Sequence, residues 1–318
     1  MADDLSGAEG SGPSSAPGLP PLQADVLYRV YAAKSAMPPL ERLLARLTGG
    51  NPYNPPDGYV FPPGEGMRRL QQALGASPEY FVMGYLPAEA PALWEELEDA
   101  LAAGQGSRFD ETDALIARNA ASCVVIRATL TNPENNRFIE TLVHLADAFR
   151  DLMRGVVWDV YMRKIWGHQE WREVMEAPLS PLSHVRIARA EDARAGEHGG
   201  PRWRLRTHGL RKFGNADLEV SGVPQDLLGG IEALLLDAAD AILRGDVLDA
   251  GETVEYEGAR LRTVLLPTPQ GEHPVLRLVD EPEEELVEVS PDAGMPKGLA
   301  AVRAARQRLE GERPSWLG

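Results

Sequence analysis

The chain has 318 residues and a net charge of −16 at neutral pH; 43% of its residues are hydrophobic and 25% are charged. This composition is typical of a soluble globular protein with one large or two ordinary domains. The longest apolar runs, such as "CVVI" at 123–126, are far too short to cross a bilayer. The surplus of carboxylates repels nucleic acids and anionic membranes at long range, which argues against strong non-specific DNA binding.

The compartment is predicted from the N-terminus and from cysteine usage. The first residues, "MADDLSGAEG", are acidic and lack the basic start and apolar stretch of a secretory signal. Cys123 is the single cysteine, so no internal disulfide can form. We therefore expect a cytoplasmic protein. Nearly all basic residues are arginine, and Ala, Gly and Pro are frequent, which favours a GC-rich bacterial genome as the source.

Composition divides the chain into four predicted segments. Residues 1–22 are rich in Gly, Ser and Pro, which predicts a disordered tail. A break near "APLSPLS" (177–183) separates an N-terminal α/β-type domain, 23–178, from a C-terminal α+β domain, 179–282. Residues 283–318 are expected to form an acidic linker followed by a short helix.

Strands and helices alternate in the first predicted domain. Runs rich in Val, Ile, Tyr and Phe predict strands at 25–33, 80–86, 122–130 and 155–166. Apolar residues at helical spacing predict helices at 38–50, 89–104 and from Pro133 to the stop at Gly155.

The second predicted domain is rich in short strands. We expect strands at 184–190, 202–208, 216–221, 259–266 and 274–279, and one long helix from Pro224 to Arg244. Turn-like links between the short strands favour antiparallel pairing. The predicted fold class is therefore α+β, with mixed, largely antiparallel sheets and packed helices.

The stretch "RWRLRTHGLRK" (202–212) is strongly basic within an acidic chain. Residues 184–213 carry eight basic and three acidic side chains, a local charge of +5, so the remainder of the chain carries −21. In a strand, alternation would place Trp203, Leu205 and Thr207 on one face and the basic residues and His208 on the other. Such a face could bind phosphate or nucleic acid, because arginine offers a planar set of donors. The candidate anion-binding residues are Arg186, Arg202, Arg204, Arg206 and Lys212.

The same basic face could instead neutralise the protein's own acids. Asp217 and Glu219 occupy the outward positions of the next strand, where they could pair with the arginines across the sheet. The outer face also lacks the interleaved aromatic residues on which single-stranded nucleic acids stack. We expect neutralisation to be the principal role of these arginines.

Familiar catalytic motifs are absent from the sequence. It contains no GxxxxGK[ST], GxGxxG between strand and helix, HExxH, GxSxG or paired zinc-binding cysteines, and we expect neither cofactor nor metal. "WGHQEW" places His168 and Glu170 between two tryptophans, which allows a hydrolase-like acid–base site with Asp159 or, alternatively, the packed start of a helix. These three residues are the weak catalytic candidates.

The loop "GGNPYNPPDGY" (49–59) is a candidate for contact with a partner protein. It combines Pro and Asn with two tyrosines, and exposed aromatic loops often carry recognition. Its candidate contact residues are Tyr53, Asn54 and Tyr59. A rigid connector would show the same composition.

The segment "RTHGLRKFGNADLEVSGVP" and the helix behind it resemble a bacterial family, the domain of unknown function numbered forty-two sixty-one. The resemblance lies in one run of residues: Thr207, Gly209, Leu210, Phe213, Gly214, Asp217 and Leu218. It covers about half of the chain and implies a soluble bacterial α+β protein. The resemblance implies no catalytic residue.

Three functions follow from these patterns. The leading hypothesis is a non-catalytic protein–protein interaction module with an unknown partner. The first alternative is an anion or nucleic-acid binder that uses the arginine-rich strand face. The second alternative is a hydrolase-like enzyme of unfamiliar design.

Overall fold

The structure is a computed structural model, which describes residues 24–47, 79–106, 108–130, 137–177, 180–192, 201–246, 248–256, 259–266 and 274–280. The predicted tail (1–22), partner loop (49–59) and acidic C-terminal segment (283–318) lie outside the described residues.

The first sheet has five strands, all antiparallel to their neighbours. They are β1 (Ala24–Ala32), β2 (Glu79–Tyr85), β3 (Ser122–Leu130), β4 (Gly155–Asp159) and β5 (Lys164–Trp166), in the order β2-β3-β1-β4-β5. The central strand β1 is buried along most of its length, in keeping with its β-branched and aromatic sequence.

Helices cover both faces of this sheet. They are α1 (Leu40–Leu47), α2 (Pro91–Ala102), α3 (Glu111–Arg118), α4 (Arg137–Met153) and α5 (His168–Glu176). Leucines of α1 and α4 pack with Val26 and Ile126 on one face of the sheet. Leu97 of α2 and Ala117 of α3 pack with Tyr31 on the opposite face.

The second sheet has six strands and one parallel pair. They are β6 (Arg186–Glu191), β7 (Arg202–His208), β8 (Asp217–Pro224), β9 (Thr253–Tyr256), β10 (Ala259–Leu266) and β11 (Val275–Asp280), in the order β6-β7-β8-β11-β10-β9. Only β8 and β11 pair in parallel. Helix α6 (Leu228–Arg244) packs on one face, where Ile231 and Leu234 join the core with Leu205 of β7.

These two sheets and their helices confirm the predicted α+β class with largely antiparallel pairing. The helix predicted from Pro224 begins with a short 3-10 turn (Gln225–Leu227) and becomes α-helical at Leu228. It ends at Gly245, which adopts the left-handed conformation that glycine tolerates at helix ends.

The predicted break at 177–183 falls between the two sheets, yet the sheets share one hydrophobic core. A single cluster of buried side chains includes Val26 of β1 and Leu205 of β7. A 3-10 helix, Leu210–Phe213, lies between β7 and β8 and packs against β1. The Phe213 ring lies 6.4 Å from that of Phe138 in α4, so the two halves are in direct contact.

Two elements differ from the prediction. The run 155–166, predicted as one strand, is a hairpin in which Arg163 adopts a φ of 53°. Helix α3 was not predicted, although the Asp110 carboxylate caps it by accepting a hydrogen bond from the N–H of Asp113 at 2.7 Å. The hairpin turn at 160–163 contains no Gly, Pro or Asn, residues that usually signal a turn. In the described residues, no helix is both long and apolar enough to span a membrane.

Candidate functional site

A cleft of about 600 Å³ lies where the two sheets meet. One side is the face of the second sheet opposite α6, and the other is formed by α2 and the β4–β5 turn. We call it the arginine cleft; the charged and histidine side chains that line it are Glu96, Asp99, Arg163, Arg206, His208, Arg211 and Asp217.

Strand β7 supplies Arg206 and His208 to the cleft. Arg206 lies opposite Ala188 of β6, and His208 lies opposite Arg186, so the three basic side chains share one face of the sheet. The opposite face carries Leu205 and contacts α6. The strict polar–apolar alternation of "RLRTH" thus turns the basic residues away from the core.

The β4–β5 turn supplies Arg163. The Asp159 carboxylate accepts a hydrogen bond from the Met162 N–H at 3.0 Å and so closes the turn. The left-handed backbone of Arg163, uncommon outside glycine, is held because its carbonyl accepts a hydrogen bond from Arg186 Nη1 at 2.7 Å. The two sheets are therefore tied together at the edge of the cleft.

The third arginine of the cleft, Arg211, already has an ion-pair partner. Its Nη2 donates to the buried carboxylate of Asp25 at 2.8 Å, and its guanidinium stacks 4.3 Å from the centre of the Tyr161 ring. Asp25 also accepts from the Tyr161 hydroxyl at 2.6 Å and from Arg127 at 3.2 Å. This network orders one wall of the cleft, and because one carboxylate serves two guanidiniums, the network keeps a net positive charge.

Helix α2 forms the acidic wall. Glu96 pairs with Arg29, whose Nη1 lies 2.6 Å from its carboxylate. Asp99, one turn further along, is exposed and makes no ion pair within the described part of the chain. Ala100 and Ala103 complete this wall, and their small side chains leave space for a ligand.

Arg163 and Arg206 are the cleft cations without an ion-pair partner. Neither forms a salt bridge with any residue that the structure describes, whereas Arg211 pairs with Asp25. The buried Nε of Arg206 also has no hydrogen-bond partner among the described residues. Because buried donors are normally satisfied, an open donor beside a cleft indicates a place for a ligand or water oxygen.

Two titratable groups lie buried beside these arginines. His208 is 6% exposed, and burial, together with the charges of Arg163, Arg206 and Arg186, lowers its pKa to about 3. It is therefore neutral at physiological pH. Burial raises the pKa of Asp217 to about 7, although Arg206 and hydrogen bonds from the Leu210 N–H and the Thr207 hydroxyl oppose that shift. The cleft thus becomes more positive as Asp217 takes up a proton.

The five predicted anion-binding residues do not form one surface. Arg206 lines the cleft, and Arg186 lies beside it on the neighbouring strand. Arg204 is exposed on β7, and Arg202 lies at the start of that strand; neither lines the cleft. The expectation for Lys212 is wrong: it is fully buried, with its Nζ 2.5 Å from the Asp159 carboxylate, and cannot reach an external anion.

The strand arginines are not neutralised in the way that alternation predicts. Glu219 accepts hydrogen bonds from Arg277 of β11, with its Oε1 2.5 Å from Nη2, and makes no ion pair with β7. Asp217 bonds to Thr207 and the Leu210 N–H instead. Arg277 lies on β11, which is the neighbour of β8 in the sheet but is distant from it in the chain. Sequence spacing therefore does not reveal this ion pair.

The three catalytic candidates are not brought together. Asp159 pairs with buried Lys212, and the Glu170 carboxylate lies 2.5 Å from Lys164 Nζ. The exposed His168 ring lies between two guanidiniums, with Nδ1 2.5 Å from Arg150 and Nε2 2.9 Å from Arg172. None of the three candidates hydrogen-bonds to another, so the hydrolase hypothesis loses its proposed site. His168 does begin α5, as the alternative interpretation expected.

The remaining predictions concern the partner loop, the cysteine and metal binding. Tyr53, Asn54 and Tyr59 lie outside the described residues. Cys123 is fully buried, and burial raises the pKa of its thiol to about 12. In the parts of the chain that the structure describes, no group of three His, Cys, Asp or Glu side chains is arranged to bind a metal ion.

Sequence reasoning missed Arg163, Asp99 and the role of Asp217. Arg163 lay inside a run predicted as a strand, and Asp99 was one of many carboxylates on a helix. Asp217 was predicted as a surface partner of the arginines but is only 5% exposed. The run of residues from Thr207 to Asp217, on which the family resemblance depends, was a signal in the sequence that could have marked the turn between β7 and β8 as important.

Comparison of the chain with protein-family models, with curated proteins and with solved structures finds no match. The resemblance to the domain of unknown function numbered forty-two sixty-one therefore remains a prediction.

Proposed function

We propose that the protein binds a small anion, of the phosphate or carboxylate class, in the arginine cleft. The observation that carries the proposal is that Arg163 and Arg206 line the cleft without an ion-pair partner among the described residues. Arginine suits both ligand classes, because its planar donors match the oxygens of phosphate and carboxylate. The composition supports a bacterial, cytoplasmic setting for this activity.

A small ligand fits the cleft better than a nucleic acid does. The cleft holds about 600 Å³, within the range of small-molecule sites. The net charge of −16 repels a polyanion at long range, and Lys212 is not available to contact a phosphate backbone. A compact anion needs only the short-range attraction of the two arginines.

Calorimetric titration with inorganic phosphate tests the proposal. The wild-type protein should bind with an affinity that falls as salt is added, since salt screens the attraction of partly exposed charges. Arg206→Gln should weaken binding by about tenfold, the effect of losing one charge-assisted hydrogen bond.

The matched control is Arg204→Gln on the same strand. Arg204 is exposed and does not line the cleft, so its loss should leave phosphate binding almost unchanged. Absence of phosphate binding by the wild type, or equal losses in the two variants, would contradict the proposal.

The exposed edge of the first sheet favours a second candidate function, contact with another protein. Phe81 and Met83 of β2 are 41% and 44% exposed, and Phe81 borders a groove of about 970 Å³ with Leu27 and Val125. Of the described strands, none pairs with the outer edge of β2. Glu79 is the one charged residue of β2, and an exposed, largely hydrophobic edge strand can pair with a second copy of itself.

Sedimentation equilibrium tests this second candidate. We expect a dimer that dissociates when Phe81→Glu and Met83→Glu are introduced together, because the charges would be buried unpaired. Ala92→Glu, at the far side of the same groove, reports whether the groove as well as the strand edge is covered. A monomeric wild type would refute self-pairing through β2.

A further inference from the structure

We infer that the ligand of the arginine cleft is a small zwitterion, in which an ammonium group faces Asp99 while the anionic group faces Arg163 and Arg206. This inference rests on the proposed anion-binding function and names the class of ligand. It follows from the opposite charges that the two walls of one cleft carry.

The acidic wall has one uncommitted carboxylate. Glu96 and Asp99 lie three residues apart on α2 and both line the cleft, as expected for neighbours on one helix face. Glu96 is held by Arg29 at 2.6 Å, and the Arg29 guanidinium also lies over the Trp158 ring. Asp99 has no such partner in the described part of the chain.

The basic wall has two uncommitted cations. Arg211 is ion-paired with Asp25, whereas Arg163 and Arg206 have no such partner among the residues that the structure describes and can attract the anionic end of a ligand. A plain anion bound by these arginines would also meet the repulsion of Asp99. A ligand that carries an ammonium group converts this repulsion into an ion pair.

The buried Nε of Arg206 provides a further indication that the cleft takes a ligand. The Arg206 side chain lines the cleft, and this atom has no hydrogen-bond partner among the described residues. A buried polar group without a partner is unusual in a folded protein. Burial, together with the charges of the surrounding arginines, lowers the pKa of His208 and keeps its ring neutral, so the ring can hydrogen-bond to a ligand without competing for the anion.

Two matched probes separate the zwitterion from a plain anion. O-phosphoethanolamine and ethyl phosphate carry the same phosphate ester, and only the first carries an ammonium group. Calorimetric titration of the full chain should show about fivefold tighter binding of O-phosphoethanolamine, the effect of one partly solvated charge-assisted hydrogen bond.

Asp99→Asn should remove this preference. Both probes should then bind with similar affinity, and ethyl phosphate should bind at least as well as it does to the wild type. Glu98→Gln is the control, because Glu98 is exposed on the same helix but does not line the cleft. It should keep the preference for O-phosphoethanolamine.

The outcomes distinguish the inference from the function on which it rests. Equal binding of the two probes by the wild type would overturn the zwitterion, while anion binding would stand. A preference that survives in Asp99→Asn would also overturn it. Failure of both probes to bind would instead refute the proposed function.

Discussion

Asp217 and His208 are both buried beside the arginine cleft, and burial moves their pKa values in opposite directions. The pKa of Asp217 rises to about 7 and that of His208 falls to about 3. In each case burial favours the neutral form, because charge is poorly solvated in the protein interior. Both groups therefore link folding stability to pH, with opposite signs.

Asp217→Asn should remove one of these links. Between about pH 4 and about pH 7, unfolded Asp217 loses its proton while folded Asp217 keeps it, so the wild type loses stability as pH rises. The variant lacks this loss. Relative to the wild type, its free energy of unfolding should therefore increase between about pH 5 and about pH 8, by about 1–3 kcal/mol. Urea denaturation at the two pH values measures the change.

His208 is present in both proteins, so the comparison isolates Asp217. The contribution of His208 to folding stability has the opposite pH dependence: stability is lost as pH falls below the ordinary histidine range towards about 3. Asp237→Asn on the exposed side of α6 is the control and should show no comparable pH-dependent gain. An equal difference in stability at both pH values would show that Asp217 is not the linked group.

For single residues, the sequence correctly predicts which face of a strand a side chain occupies, but not which ion pair the side chain forms. Strand alternation places Arg186, Arg206 and His208 on one face, and β6–β7 pairing confirms it. The counter-ion of Arg211 is Asp25, which lies 186 residues away in the chain. Which arginines remain unpaired depends on such distant carboxylates, and no local pattern encodes them.

The turn after β7 decides where the side chains of Arg211 and Lys212 lie. Gly209 has a φ of +119°, and a Cβ there would overlap the carbonyl oxygen of His184. The short helix that follows directs Arg211 towards the cleft and Lys212 into the core. Glycine is required both by the backbone angle and by the close approach of another segment.

Gly209→Ala should destabilise the protein by about 3 kcal/mol or more, since it adds steric overlap to backbone strain. Gly245→Ala is the matched control. Gly245 has a similar φ of +112° but nothing within 4 Å of the added Cβ, so it should cost only about 1–2 kcal/mol. Thermal unfolding of the two variants gives the comparison, and similar losses would show that the contact with His184 is unimportant.

Elements with strong periodicity were predictable from the sequence. The strand at 259–266 begins and ends where alternation predicts, and the leucine-rich face of α6 is buried as its spacing indicates. The hairpin within 155–166 was not predictable, because its turn depends on the Asp159 side chain and on the contact between Arg163 and Arg186. Contacts between the two sheets therefore stabilise this turn, which its own residues do not specify.

The two sheets are joined by a buried ion pair as well as by a common core. Lys212 belongs to the second half and Asp159 to the first, and both side chains are inaccessible to solvent. Burial lowers the pKa of Lys212, and Asp159 opposes that shift. A charge left alone at this position would be strongly unfavourable, so the pair ties the folding of one half to the other.

Lys212→Met should lower the free energy of unfolding by about 3–5 kcal/mol, because it leaves the buried Asp159 carboxylate without its counter-ion. Asp159→Leu combined with Lys212→Met should cost less than the sum of the two single changes. Urea denaturation followed by fluorescence and by circular dichroism measures both values.

We also expect one unfolding transition for the whole molecule. In a Trp203→Phe/Trp316→Phe background, the remaining tryptophans, Trp94, Trp158, Trp166 and Trp171, all belong to the first half. Lys212→Met in the second half should shift their transition as much as that of the backbone signal. Two separate transitions, with the tryptophan signal unchanged, would show that the halves fold independently.

The sequence by itself determined the fold class, the positions of most strands and helices, and the face of β7 that carries basic side chains. These features depend on periodicity and on neighbouring residues, which are local properties of the chain. The tertiary structure alone decided that Lys212 is buried, that Arg163 joins Arg206, and that Asp99 faces them across a cleft. Charge pairing and burial depend on which distant segments meet, and that is settled only when the two sheets pack together.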